Sequence, residues 1–410
     1  MHPALRSAIE AASALREPHL PSLVFSGDPA YDGAWPSLVA IERAAAATIP
    51  LDRIDRRVRE RRRRGGPSGT GVAAVFAYES AETCLALEVD AALTWTSGQP
   101  EIVATDPPTL RRARARVSSA PAREPGAFHA RGPLRTSLPR ERYEAAVERI
   151  RSRIALGDFY QANLTQRFEI GFDGDPFAAW RALLEAGPAP RAAFLETSHA
   201  SLASVSPEVF VDVDREGRVT TRPIKGTRPR GDDAASDAAA AAALLASEKD
   251  RAELVMIVDL ERNDLGRVCE TGSVRVPEIA ALRTYPAVHH LVARVEGLLR
   301  AEVGPGELVR AVFPGGSITG APKLAAREAL AELEPVPRGW YTGSLFWFAD
   351  DGSTASSILI RSVVLERGVA SIGAGGGVTA DSDPRGEWEE SNAKARAILR
   401  VFGRDPEEAR

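Results

Sequence analysis

The chain has 410 residues, 44% of them hydrophobic and 26% charged, with a net charge of −4; this is the balance of a soluble globular protein with room for a substantial core. The charge argues against a nucleic-acid partner, no apolar stretch is long enough for a membrane-spanning helix, and two isolated cysteines, Cys84 and Cys269, make neither a disulfide framework nor a zinc site. The N-terminus lacks the apolar segment of a secretory signal, so a cytoplasmic enzyme is the expectation.

Residues 1–103 mix amphipathic and extended segments, with strands expected at 72–79 and 83–87. The run Arg56–Arg64, RRVRERRRR, has no aromatic residues among its charges and reads as a solvated helix end and loop rather than an RNA contact. Residues 104–139, rich in Pro, Arg and Ala, read as an exposed connection holding one short helix. From residue 140 the periodicity strengthens: a helix over 140–158, a strand over 162–170, then short strands at 192–196, 200–204, 209–213 and 218–222. Alanine-rich 234–246 reads as a surface helix and 249–265 as another, followed by a strand within 281–299. A Gly-rich turn at 315–320 opens a helix over 322–333; strands at 341–349, 355–366 and 369–373 and a helix over 387–402 complete the chain. Strands in runs with helices between them predict antiparallel sheet covered by helices, an α+β layered fold.

Of the 52 basic residues only Lys225, Lys249, Lys323 and Lys394 are lysine. Lysine differs from arginine in being able to lose its proton and act as a nucleophile, so in an arginine-dominated chain each lysine calls for a reason of its own. Five segments around them carry chemistry. In KDRAELVMIVDLERNDLGRV (249–268), Asp250 and Glu253 share a helical face, and in RGEWEESNAKARAIL (385–399) Glu387, Glu390 and Lys394 do the same. Either pair alone is more often a dipole-compensating or solvated face than a metal site; two pairs together suit Mg²⁺, which takes carboxylate oxygens. The glycines of SIGAGGGVTADSD (371–383) offer backbone N–H groups to a carboxylate or phosphate, although a tight turn explains them equally well. FPGGSITGAPK (313–323) runs through a Gly-rich turn into a helix, and RPIKGTRPRG (222–231) places Lys225 in a strand-to-loop passage.

These five segments, in this order, closely resemble the chorismate-utilising enzymes, a family that includes anthranilate, aminodeoxychorismate, isochorismate and salicylate synthases. The resemblance is strong over 140–402 and faint over 1–100, where VAAVFAYE carries it. It implies a layered sandwich of two mainly antiparallel sheets flanked by helices, with 140–402 as the chorismate-binding region, all forming one compact unit. It implies Mg²⁺ as cofactor, with Glu253 and Glu390 as direct ligands and Asp250 and Glu387 close by. Glu208, in SPEVF, matches the family's general acid for the C4 hydroxyl, and His290, in HHLV, the active-site histidine beside that hydroxyl; His289 is then structural. Tyr341 and Arg361 match positions that grip the enolpyruvyl carboxylate, the backbone of Gly375 and Gly376 helps hold it, and Gln161, Thr227 and Lys394 complete the substrate contacts.

Two positions divide the family. Gln161, in YQANL, stands where isochorismate and salicylate synthases carry the lysine that activates water, a base that glutamine cannot replace. Lys225 stands in Pro-Ile-Lys-Gly-Thr, the form found in aminodeoxychorismate synthases, where anthranilate synthases carry alanine. The resemblance therefore implies amination of chorismate at C4 through a covalent Lys225 intermediate. No glutaminase segment is readable, so the ammonia is expected from a separate glutamine amidotransferase subunit in a heterodimer, with no nucleic-acid or membrane partner. The Leu-Leu-Glu-Ser motif of tryptophan feedback has no counterpart; the nearest segment is 20–28, LPSLVFSGD.

Overall fold

The strand Gln161–Gly174 is the spine of the C-terminal part. In a computed structural model describing residues 3–16, 22–27, 35–96, 99–120, 126–187, 189–285 and 288–409, it is paired on both edges. On one side it meets Val369–Val378, from Val369↔Gly171 to Val378↔Ala162; on the other it meets Phe128–Thr136. The glycine run, for which a tight turn is one of two readings, is strand, because residues without side chains let neighbouring strands and a covering helix approach closely.

The described strands pair antiparallel throughout. Hydrogen bonding links all twenty into one closed sheet, accompanied by ten α-helices among the described residues; this is the expected α+β class. One core joins Leu51, Ile54 and Val58 of the helix Leu51–Arg64 and Val72, Ala74 and Phe76 to Leu254 and Val258 of the helix Glu248–Gly266 and to Leu291 and Val295. A second joins Ile9 and Ala12 to Phe168, Phe177, Trp180, Ala395 and Ile398. N-terminal residues therefore share both cores with C-terminal ones. No described helix is long and apolar enough to cross a membrane.

Three sequence expectations change. Residues 104–139 hold the expected helix, Pro107–Ser119, capped by Asp106, but also the strand Phe128–Thr136, built into the sheet. A register break between Arg131 and Arg135, around Gly132 and Pro133, hides its alternation in the sequence. Residues 281–299 belong to a hairpin of Arg275–Thr284 and Val288–Leu298. The basic run does end a helix, with Arg56, Arg63 and Arg64 exposed, but it is not solvated throughout. Arg61 reaches Asp350 at 2.8 Å, Asp90 at 2.7 Å and the Val89 carbonyl at 2.8 Å, while Arg62 donates to the Ser353 carbonyl at 2.7 Å. The run staples the helix to the sheet. Of the 20–28 segment, residues 20, 21 and 28 lie outside the described residues.

Behind the cavity described next, Arg338 is 6% exposed. It donates to the carbonyls of Ile318 at 2.8 Å and Asn163 at 2.6 Å, pairs with Glu334 at 2.7 Å, and lies 4.2 Å from the centre of the Tyr78 ring. Arg338→Met leaves the Glu334 carboxylate buried without its cation and is expected to lower stability by about 3 kcal/mol. Urea unfolding measures it.

Candidate active site

Lys225 and Thr227 belong to the strand Ile224–Pro229, whose register against Val288–Leu298 slips between them. The inserted residue is Gly226, at φ 73°, where a Cβ would stand 2.8 Å from Leu244 and 2.9 Å from Asp250. Only glycine takes that conformation and that contact readily, and a bulge of this kind re-aims the side chains around it. Lys225 consequently lines a cavity of about 490 Å³, and Thr227 Oγ1 lies 2.8 Å from Nδ1 of His290 on the facing strand. Burial pushes His290 down to about 4; a hydrogen bond with the Gly226 backbone opposes this and the charge of Arg361 adds to it. At neutral pH the imidazole is uncharged.

Glu208 lies deep in the same cavity and is 6% exposed. Ser317 Oγ donates to its carboxylate at 2.7 Å. Burial raises the Glu208 carboxyl above its ordinary value, with Ser317, Lys225 and Lys394 pulling the other way. A carboxyl whose acid form burial favours, beside a cavity, is suited to donate a proton.

Two helices bring the remaining carboxylates. In Glu248–Gly266, Ser247 caps the start by accepting from the Asp250 N–H, and the first two turns present Asp250 and Glu253 to the cavity. Asp250 pairs with Arg228 at 3.2 Å. Glu253 Oε2 lies 3.7 Å from Lys225 Nζ. In Pro384–Leu399, capped by Asp383, Glu387 is buried and accepts from Ser382 Oγ at 2.6 Å. Burial raises the Glu387 carboxyl. Glu390 behaves oppositely: burial works to raise it, but Lys394 at 2.7 Å, with Lys249 and Lys225 beyond, holds it below the usual value. Lys394 also donates to the Gly375 carbonyl at 3.0 Å.

The helix and the glycine strand meet at Gly376. A Cβ there would lie 3.1 Å from Glu387 Oε2, 3.7 Å from Lys394 Nζ and 3.8 Å from Glu390 Oε1. The missing side chain leaves room for a cradle whose donors are all hard oxygens, and such a donor set fits Mg²⁺. Among the described residues the carboxylates are not drawn into a ready-made group of three or more metal ligands; lysines stand between them.

Of the residues singled out from the sequence, Lys225, Glu208, His290, Thr227, Tyr341, Arg361, Gly375, Lys394, Asp250, Glu253 and Glu390 line the one cavity. Arg361 does so from a left-handed backbone at φ 48°, a strained conformation of the kind that collects at functional sites. Gln161, Gly376 and Glu387 do not line it. Gln161 is 1% exposed and its amide nitrogen lies over Gly377, 2.1 Å from where a Cβ would be; it acts on the wall rather than on a ligand. Gly376 faces the final helix, on the side opposite Gly375 and Gly377, as strand alternation requires. His289 is held between Thr284 at 2.9 Å and Asp237 at 2.9 Å, away from the cavity. Sequence reasoning missed Ser317, Lys249, Asn163 and Arg228. All four lie inside segments already singled out: Ser317 in FPGGSITGAPK, Lys249 at the head of KDRAELVMIVDLERNDLGRV, Asn163 in YQANL and Arg228 in RPIKGTRPRG.

Residues 50–400 match the family of chorismate binding enzymes. The chain is 48% identical over 265 residues to an aminodeoxychorismate synthase of Streptomyces pristinaespiralis, which covers 65% of this chain and 37% of that protein. It is 44% identical over 294 residues to aminodeoxychorismate synthase component 1 of Klebsiella aerogenes, covering 72% and 64%. It is also 43% identical over 268 residues to anthranilate synthase component 1 of Pseudomonas putida, covering 65% and 54%. The matched segment thus spans between about a third and two thirds of the length of these relatives. In structure, the menaquinone-specific isochorismate synthase of Escherichia coli superposes with a TM-score of 0.80 at 17% identity, covering 96% of this chain and 91% of that one, which establishes the shared fold.

Proposed function

This chain belongs to the family of chorismate binding enzymes, and from that premise we propose that it aminates chorismate at C4 to give 4-amino-4-deoxychorismate, the precursor of 4-aminobenzoate and folate. The observation that carries this reading is Lys225 on its bulge, aimed into the cavity that also holds Glu208 and His290. The name shared by the Streptomyces and Klebsiella relatives supports it.

Lys225 Nζ attacks C2; the two conjugated ring double bonds each shift by one position, and the C4–O bond breaks as Glu208 gives its proton to the departing hydroxyl, which leaves as water. Ammonia then attacks C4, both double bonds shift back, and the Lys225 nitrogen leaves C2. Two displacements across the conjugated diene place nitrogen at C4 with the configuration retained. The uncharged His290 takes part as a hydrogen-bonding neighbour of that hydroxyl, oriented by Thr227. Tyr341 and Arg361, with the Gly375 backbone, position the enolpyruvyl carboxylate, Arg361 through its planar fork. Glu253 and Glu390 would hold Mg²⁺, with Asp250 and Glu387 close by; when bound, the ion supplies positive charge that orients the ring carboxylate. A separate glutamine amidotransferase subunit supplies ammonia, and the pair works in the cytoplasm.

Product identity tests the reading. Chorismate, an ammonium salt and Mg²⁺ are expected to yield 4-aminobenzoate only when a 4-amino-4-deoxychorismate lyase is added, and chelation by EDTA is expected to stop turnover. Anthranilate fluorescence without lyase would instead assign the activity named for the Pseudomonas relative.

A further inference from the structure

The proposed nucleophile touches a proposed metal ligand. Lys225 Nζ lies 3.7 Å from Glu253 Oε2, and Lys249 Nζ lies 4.0 Å from the other oxygen, Oε1. The two ammonium groups differ in setting: the Lys225 side chain is 14% exposed and Lys249 59%. An exposed ammonium exerts little force on a neighbour because water screens it, whereas one inside the cavity wall keeps most of its field. Lys394 stands on Glu390 in the same way, half-exposed.

A divalent cation taking oxygens of Glu253 has to displace an ammonium already drawn to that carboxylate, since two cations in contact with one oxygen pair repel each other. Resting on the metal site proposed above, we propose that Lys225 and the divalent cation compete for Glu253. Metal arrival detaches Lys225 from the carboxylate and leaves it facing the cavity, so the lysine becomes available only in the metal-loaded site. Binding couplings are reciprocal, so Lys225 must weaken metal binding by the factor with which the metal weakens the Lys225–Glu253 pair.

Manganese supplies a readout independent of turnover, because the paramagnetic resonance signal of free Mn²⁺ counts the bound ion in the full chain without chorismate. Lys225→Met is expected to bind Mn²⁺ about tenfold more tightly than wild type, a size usual for coupled sites. Lys225→Arg keeps the charge and is expected to show no gain, which separates the charge effect from a change in folding. Lys249→Met is expected to change affinity less than Lys225→Met does. In a Glu253→Gln background the gain from Lys225→Met is expected to vanish. Wild-type or weaker affinity in Lys225→Met, or a gain that survives Glu253→Gln, overturns the competition while leaving the metal site standing. Failure of both wild type and Lys225→Met to bind Mn²⁺ overturns the metal site and the competition together.

Discussion

Replacing Lys225 by methionine is expected to lower the rate of chorismate amination by about a thousandfold or more, while chorismate still binds. Loss of a nucleophile that forms a covalent intermediate removes a whole pathway rather than a single stabilising contact. Methionine keeps the length of the stem and its packing beside Ile224 and Gly226, so the strand and its bulge persist. Arginine in the same place is expected to fail equally, because a guanidinium does not give up its proton to become a nucleophile. The direct check is the intact mass of enzyme quenched during turnover. Wild type should carry a chorismate-derived adduct formed with loss of water, and Lys225→Met should carry none. Para-amination at the wild-type rate in Lys225→Met would remove the covalent role.

The second large effect lies at Glu208. Glu208→Gln preserves shape and an acceptor for the Ser317 hydroxyl but cannot deliver a proton, and turnover is expected to fall by about a hundredfold to ten-thousandfold. The pH dependence gives the sign. Burial raises this carboxyl above its ordinary value, so the acid form that donates the proton persists into a higher pH range than an exposed glutamate allows. Wild-type activity should therefore decline as pH rises through that raised value. Glu208→Gln should lose this alkaline limb along with the rate. A profile of kcat against pH for the two proteins decides it, and a wild-type rate or an unchanged alkaline limb in Glu208→Gln would assign the proton to another group.

These two residues also differ in how the sequence disclosed them. Lys225 was conspicuous because lysine is scarce in this chain, and its Pro-Ile-Lys-Gly-Thr context matched a branch of a known family. Glu208 had no such local signal; nothing in SPEVF by itself distinguishes a buried acid from a surface one. Its setting comes from distant segments: Ser317, more than a hundred residues downstream, donates to its carboxylate inside the same cavity.

Helices and their faces followed from local periodicity, because a helix is built from contacts three and four residues apart. The helices expected at 140–158 and 249–265 are Arg140–Ala155 and Glu248–Gly266 in the structure. The acidic pairs, the family and the lysine in its Pro-Ile-Lys-Gly-Thr context were likewise readable in the order of five segments. What the sequence left open was decided by strand pairing between distant segments. The slip around Gly226 turns Lys225 and Thr227 into the cavity, the break at Arg361 places a guanidinium there, and alternation sends Gly375 and Gly376 to opposite faces of one strand. The pairing of Lys225 with Glu253 belongs to the same class, whereas that of Lys394 with Glu390 is an i,i+4 contact within one helix. The Lys225 contact depends on where a strand and a helix converge, and charges so brought together interact through space in a way no spacing along the chain encodes.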